Sequence, residues 1–172
     1  PSGVGKSSVM SYLREHHPEI VFSVSVTTRP PRDGEIDGVH YWFIDRERFE
    51  QMRDAGELLE WAEFSGNLYG TPAGPVREHL AAGRDVVLEI ELQGARQVRA
   101  TEPDAVQVFL APPSWEVLVE RLEGRGTEDP QVIAARLATA RDELAAEGEF
   151  DHRVVNEAVP VAAEEIVALL TR

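Results

Sequence analysis

The chain has 172 residues, 17 basic and 31 acidic, a net charge of −14, 42% apolar residues and no Cys. This is the composition of one soluble globular domain, large enough to bury about 70% of its unfolded surface, and it excludes a disulfide framework or a Cys-ligated metal site. The acidity argues against a duplex nucleic-acid surface, and no stretch approaches the ~18 apolar residues of a membrane span or the pattern of a secretory leader.

In chain order, Ser7 to His17 reads as a helix, with Val9, Met10 and Leu13 at helical spacing and Pro18 after its end. Val21 to Val26 alternates as a strand would, and Thr28-Arg-Pro-Pro-Arg-Asp-Gly breaks it. Tyr41 to Ile44 is short and β-like. Arg46 to Ala55 is a short helix with Phe49 and Met52 inward, and Leu58 to Phe64 is a strand ended by Ser65-Gly-Asn. Pro75 to Ala82 is a helix stopped by Gly83. Val86 to Ile90 and Val106 to Leu110 are apolar runs of the buried parallel-strand type. Ser114 caps the next helix, and Asp129-Pro130 opens a longer one with Ile133, Leu137 and Leu144 on one face. Val154-Val155 is a last short strand and Val161 to Leu170 a closing helix. Strands alternating with helices predict a three-layer α/β fold with a mainly parallel sheet.

The charges are unevenly spread. Residues 1–32 hold Lys6, Arg14, Arg29 and Arg32 against Glu15 and Glu19, whereas residues 142–172 hold eight acids against Arg153 and Arg172, a solvated face. Sixteen of the 17 basic residues are Arg, and Lys6 is the single Lys. It lies in Pro1-Ser-Gly-Val-Gly-Lys-Ser-Ser, most of the phosphate-loop pattern G-x-x-x-x-G-K-[ST]. Backbone N–H groups from Ser2, Gly3, Val4 and Gly5 can converge on phosphate oxygens there, and the helix that follows adds its positive N-terminal end. Lys6 would reach the β- and γ-phosphates as a compact charge, a task to which an Arg fork is poorly suited; Ser7, with Ser8 beside it, would offer a hydroxyl to Mg²⁺. The first Gly of the pattern, and the strand that delivers such a loop, would precede Pro1, so a first core strand is expected outside these 172 residues.

Two further blocks follow: Ser23-Val-Ser-Val-Thr-Thr-Arg-Pro-Pro-Arg-Asp-Gly-Glu, running on to Tyr41, and Glu60-Trp-Ala-Glu-Phe-Ser-Gly-Asn-Leu-Tyr-Gly-Thr. Arg29 and Arg32, three apart in a Pro-containing turn, can fork onto one phosphate, with Tyr41 adding a hydroxyl. Alone, such an Arg pair is a solvated face. In their order after the phosphate loop, these blocks resemble the guanylate kinase family over nearly the whole chain.

That resemblance implies an ATP:GMP phosphotransferase of the phosphate-loop fold, cytoplasmic, with a core of residues 1–27 and 82–172, a GMP-binding insert of about 28–81 and a lid of about 121–136. It assigns the GMP phosphate to Arg29, Arg32, Tyr41 and Tyr69, and the guanine to Ser25, Glu60 and Thr71. A carboxylate suits guanine, whose N1–H and exocyclic amine are adjacent donors; adenine would leave it unpaired, at a cost of about 1–3 kcal/mol. The family's D-I-D-x-Q-G block reads Glu89-Ile-Glu-Leu-Gln-Gly here, each acid one methylene longer, and Glu91 is expected near GMP and, through water, the metal. Thr71 stands where the family often has Ser. Arg121 to Glu128 resembles the lid: Arg121 and Arg125 would hold ATP, Gly124 and Gly126 would let the segment move, and Arg136 supplies a further cation. Lys6, Arg32, Arg125 and Arg136 are the expected catalytic set, because phosphoryl transfer builds charge on the moving group. Asn156-Glu157 matches the segment beside the adenine of ATP.

The expected partners are thus ATP and GMP with Mg²⁺, without nucleic acid or membrane; a homo-oligomer remains compatible with the sequence. Two other readings stand beside this one. A guanylate-kinase-like binding module without catalysis would typically have lost Lys6, Ser7, Arg125 and Arg136. A phosphate-loop kinase for AMP or dTMP would have no use for Glu60 with Ser25 and Thr71.

Overall fold

The computed structural model describes residues 1–124 and 129–170. Its elements, in chain order, are α1 (Lys6–His16), β1 (Val21–Phe22), β2 (Val26–Thr27), β3 (Trp42–Phe43), α2 (Arg46–Asp54), β4 (Leu58–Phe64), β5 (Asn67–Pro72), α3 (Ala73–Ala81) and β6 (Val86–Val87). They continue with α4 (Leu92–Thr101), β7 (Val108–Ala111), α5 (Trp115–Glu123), α6 (Pro130–Ala145), a 3₁₀ turn (Glu147–Glu149), β8 (His152–Val155) and α7 (Val159–Leu170). The expected α/β class is what the chain adopts. Among the described residues no helix is long and apolar enough to cross a membrane. The chain forms two compact units, residues 1–18 with 106–172, and residues 19–105.

In the first unit, β7 and β8 pair in parallel from Val108 opposite His152 to Ala111 opposite Val155. Val9 and Leu13 are fully buried on one face of α1, that helix packs against α7, and His17, just past the end of α1, meets Glu164 Oε1 of α7 through Nε2 at 2.9 Å. Both predicted caps form. Ser114 Oγ accepts from Val117 N–H, and Asp129 Oδ1 accepts from Gln131 N–H ahead of Pro130. Leu118 and Leu122 of α5 pack on Ala140 of α6, with Trp115, Leu137 and Leu144 around them.

In the second unit the sequence pattern at 21–26 does not give a single strand. β1 pairs in parallel with β6, whereas β2 enters a different sheet of order β3-β2-β5-β4, so the backbone changes partners at residues 23–25. The run 86–90 likewise pairs only at Val86 and Val87. Two elements were absent from the pattern reading. β5 returns antiparallel to β4 through Ser65 and Gly66, both left-handed at φ 51° and 76°, the backbone of a tight primed hairpin turn. α4 follows Glu91, with Ala95 and Val98 on its buried face. Phe49 of α2, fully buried, packs with Val26 and Leu68 beneath the sheet and with Ile44, Met52, Leu58 and Trp61 around it; truncating such a residue to Ala costs about 3–5 kcal/mol.

Candidate active site

The phosphate-loop residues lie in the first unit, and their fixed points come from three later elements. Gly3 and Gly5 have φ of 80° and 91°, values that side chains disfavour. At both places the missing Cβ also gives room: one on Gly3 would lie 2.8 Å from Leu122, and one on Gly5 2.6 Å from Asn156 Nδ2. Val4 O accepts from Asn156 Nδ2 at 2.8 Å and Arg121 Nη1 at 3.2 Å, and Arg121 Nη2 also donates to the Asn156 carbonyl at 3.1 Å. From α6, Arg136 Nε donates to Ser2 Oγ at 3.0 Å, while Glu143 accepts from Ser2 N–H at 3.0 Å.

The loop therefore has a braced back. Its front is the first turn of α1, where Gly5 provides no side-chain cap, no acid lies in the turn, and Ser7 and Ser8 are exposed. First-turn N–H groups in such a place suit an anion, and the helix dipole adds to their pull. Asn156 is 3% exposed, and its Oδ1 is a buried acceptor without a partner among the described residues. A buried amide left half-satisfied beside a phosphate loop is suited to a donor from a bound molecule.

The second unit holds the residues assigned to GMP. Glu60 pairs with Thr71 across β4 and β5, and Val26 with Gly70 across β2 and β5. Ser25 lies just before β2, outside the paired residues, and its carbonyl accepts from Trp42 N–H at 2.8 Å. Thr71 is fully buried, and its hydroxyl donates to Glu60 Oε1 at 2.7 Å. Burial pushes the Glu60 carboxyl above the usual carboxylate range, and the Thr71 hydroxyl pulls it part of the way back. With one oxygen held by the Thr71 hydroxyl, the Glu60 carboxylate is an acceptor suited to paired donors.

Arg29, Tyr41 and Tyr69, expected at the GMP phosphate, lie together in the same unit. The Arg29 guanidinium lies 5.4 Å from the Tyr41 ring centroid, and the rings of Tyr41 and Tyr69 meet edge-on at 6.1 Å. Arg29 Nη2 donates to both oxygens of Glu35 at 2.9 and 3.0 Å, and Arg32 N–H donates to the same carboxylate at 3.3 Å. The Arg29 hydrogen bond is the main cause of a Glu35 carboxyl held below its ordinary range. Arg32 itself is exposed in the turn, and Glu91 is exposed at the N-cap of α4. Arg125, with the Gly126 to Glu128 part of the expected lid, lies outside the described residues.

Sequence reasoning missed three residues that hold these side chains. Glu35 closes the Arg29 turn. From α4, Gly94 lies against Glu60, and the Gln97 side chain bonds Trp61 at both N–H and C=O. The signal for α4 was legible in Leu92, Ala95 and Val98 at helical spacing, though nothing in the pattern shows which strand it meets.

The sequence profile of the guanylate kinase family matches residues 1–172. The chain belongs to the guanylate kinase family. Among curated members, the guanylate kinase of Thermobifida fusca (strain YX) is 62% identical over 170 residues, 99% of this chain and 87% of that one. The guanylate kinase of Streptomyces coelicolor is 60% identical over 169 residues, 98% and 86% of the two chains. The crystal structure of guanylate kinase from Anaplasma phagocytophilum superposes with a TM-score of 0.77 at 35% identity, covering 96% of this chain and 80% of that one.

Proposed function

We infer that this chain is a guanylate kinase in its own right, transferring the γ-phosphoryl group of ATP to GMP to give ADP and GDP in the cytoplasm. The observation that carries the substrate assignment is the buried Glu60 carboxylate with the Thr71 hydroxyl on one oxygen. Guanine answers it with N1–H and the exocyclic amine, and Ser25 offers a further hydroxyl to the base. Arg29, Arg32, Tyr41 and Tyr69 take the GMP phosphate, with Glu91 near the nucleotide. The phosphate loop from Ser2 to Ser8 takes ATP, with Arg121 bracing its back, Arg125 reaching the nucleotide and Asn156 beside the adenine.

The expected architecture is a phosphate-loop core with a mainly parallel sheet, a GMP-binding insert of about 28–81 and a lid of about 121–136. The GMP phosphate is already anionic at neutral pH, so attack on the γ-phosphorus needs alignment and charge stabilisation rather than a general base. Lys6, Arg32, Arg125 and Arg136 stabilise the charge on the transferring group, and closure of the lid excludes water. Mg²⁺ fits the donor chemistry: the exposed Ser7 hydroxyl is a hard oxygen ligand on the first turn of α1, and this ion is characteristically held by few protein oxygens together with phosphates and water. When bound, it would neutralise phosphate charge.

The test is a coupled ADP-release assay with GMP, AMP and dTMP as acceptors. Turnover with GMP alone is expected. Comparable turnover of AMP or dTMP contradicts the guanine assignment, and binding of GMP without any turnover contradicts the enzyme assignment in favour of a binding module.

A further inference from the structure

We propose that helix α4 is the positioning element for guanine recognition: Gly94 makes the space in which the Glu60 carboxylate rests, and Gln97 fixes strand β4 at Trp61. The proposal rests on the reading that Glu60 takes the guanine base.

Among the described residues β4 is an edge of its four-stranded sheet, so one row of its backbone groups has no strand to pair with there. At Trp61 the Gln97 amide stands in for that strand. Trp61 N–H donates to Gln97 Oε1 at 2.9 Å, and Gln97 Nε2 donates to Trp61 O at 2.7 Å. A single side chain meeting both groups of one peptide position fixes its translation and its tilt, one residue from Glu60. One turn earlier, and therefore on the same helical face, is Gly94. It is buried, and a Cβ built on it would lie 2.5 Å from Glu60 Oε2, 3.1 Å from Cδ and 3.4 Å from Cγ. Glu60 is thereby bounded on both sides. Thr71 holds Oε1, and the bare backbone of Gly94 lies against Oε2.

Gly94 carries no positive φ, and its helix would be better served by Ala, by about 1 kcal/mol of intrinsic propensity. Close approach of the carboxylate is what a glycine gains here. Guanine must meet both carboxylate oxygens together, so a shift of about 1 Å in that group would cost roughly a hundredfold in recognition.

The experiment measures KM for GMP, KM for ATP, kcat and melting temperature in the full chain for Glu60→Gln, Glu60→Asp, Gly94→Ala, Gln97→Leu and Gly94→Ala/Glu60→Asp. Glu60→Gln should raise KM for GMP strongly; if it does not, the guanine reading of Glu60 fails. Gly94→Ala should raise KM for GMP roughly tenfold to a hundredfold, and Gln97→Leu about tenfold, with KM for ATP within about twofold of wild type. Because Asp draws the carboxylate back by one methylene, Gly94→Ala should cost less than about threefold in the Glu60→Asp background. If Gly94→Ala instead lowers the melting temperature so far that kinetics cannot be read, Glu60→Asp should restore it. With Glu60→Gln impaired, an unchanged KM for GMP in either single variant overturns the role of that residue. Equal losses of Gly94→Ala in both backgrounds, or equal rises in both KM values, overturn positioning in favour of a merely structural part.

Discussion

The Thr71 hydroxyl donates to Glu60 at 2.7 Å inside a site where Thr71 is fully buried and Glu60 is 8% exposed. This is the bond that partly offsets the desolvation of the Glu60 carboxylate. Thr71→Val keeps the shape and removes the donor, leaving a buried acceptor unsatisfied at a cost of about 1–3 kcal/mol. KM for GMP should rise roughly tenfold on that energy, with KM for ATP unchanged, and Thr71→Ser should recover most of the loss. Initial-rate measurements with each nucleotide varied in turn check this.

The same desolvation makes a stability prediction of opposite sign to the catalytic one. The folded-state pKa of Glu60 lies above its ordinary value of 4.5. The folded chain therefore holds this proton more tightly, and stability contributed at Glu60 falls as pH rises from the ordinary carboxylate value through the folded one. Glu60→Gln keeps an oxygen for Thr71 and carries no charge. Without nucleotide it should melt higher than wild type at pH 7, with the difference shrinking below pH 4.5. Thermal melts across pH read this directly.

At Arg29 the fork geometry matters more than the charge. Its Nη2 spans Glu35, its Nη1 donates to Pro30 O at 2.8 Å, and the guanidinium lies over Tyr41. Arg29→Lys preserves the charge but not the fork or the stacking. It should raise KM for GMP about tenfold or more, the loss expected for one charge-assisted hydrogen bond. The KM for ATP should not follow.

Arg121 gives the converse pattern. It bridges the carbonyls of Val4 and Asn156, the first in the phosphate loop and the second just after β8. Arg121→Met fills similar volume without either bond. KM for ATP should rise several-fold and the melting temperature fall, with GMP affinity measured by calorimetry little changed.

Local sequence chemistry was legible where one residue decides the outcome. Ser114 and Asp129 cap helices as their side chains predict, and β4 runs from Leu58 to Phe64 as its pattern indicates. The residues from Ser25 to Thr71 could be named because two blocks of the chain resemble guanylate kinase motifs, an assignment with which a carboxylate, hydroxyls and Arg forks are compatible. What the pattern could not supply was partner choice. Val21 to Val26 alternates like one strand, yet Val21 meets Val86 and Val26 meets Gly70, pairings fixed by segments far along the chain. Gly94 and Gln97 were invisible for the same reason, since each matters only through a strand more than thirty residues earlier.

The central claim is that Glu60 reads the base, and the ratio of kcat/KM for GMP to that for AMP, in wild type and Glu60→Gln, tests it most directly. A large wild-type ratio that collapses in the variant through loss of GMP turnover, with KM for ATP unchanged, is the expected result. A ratio that survives the substitution, or a parallel loss of GMP and ATP affinity, would contradict it.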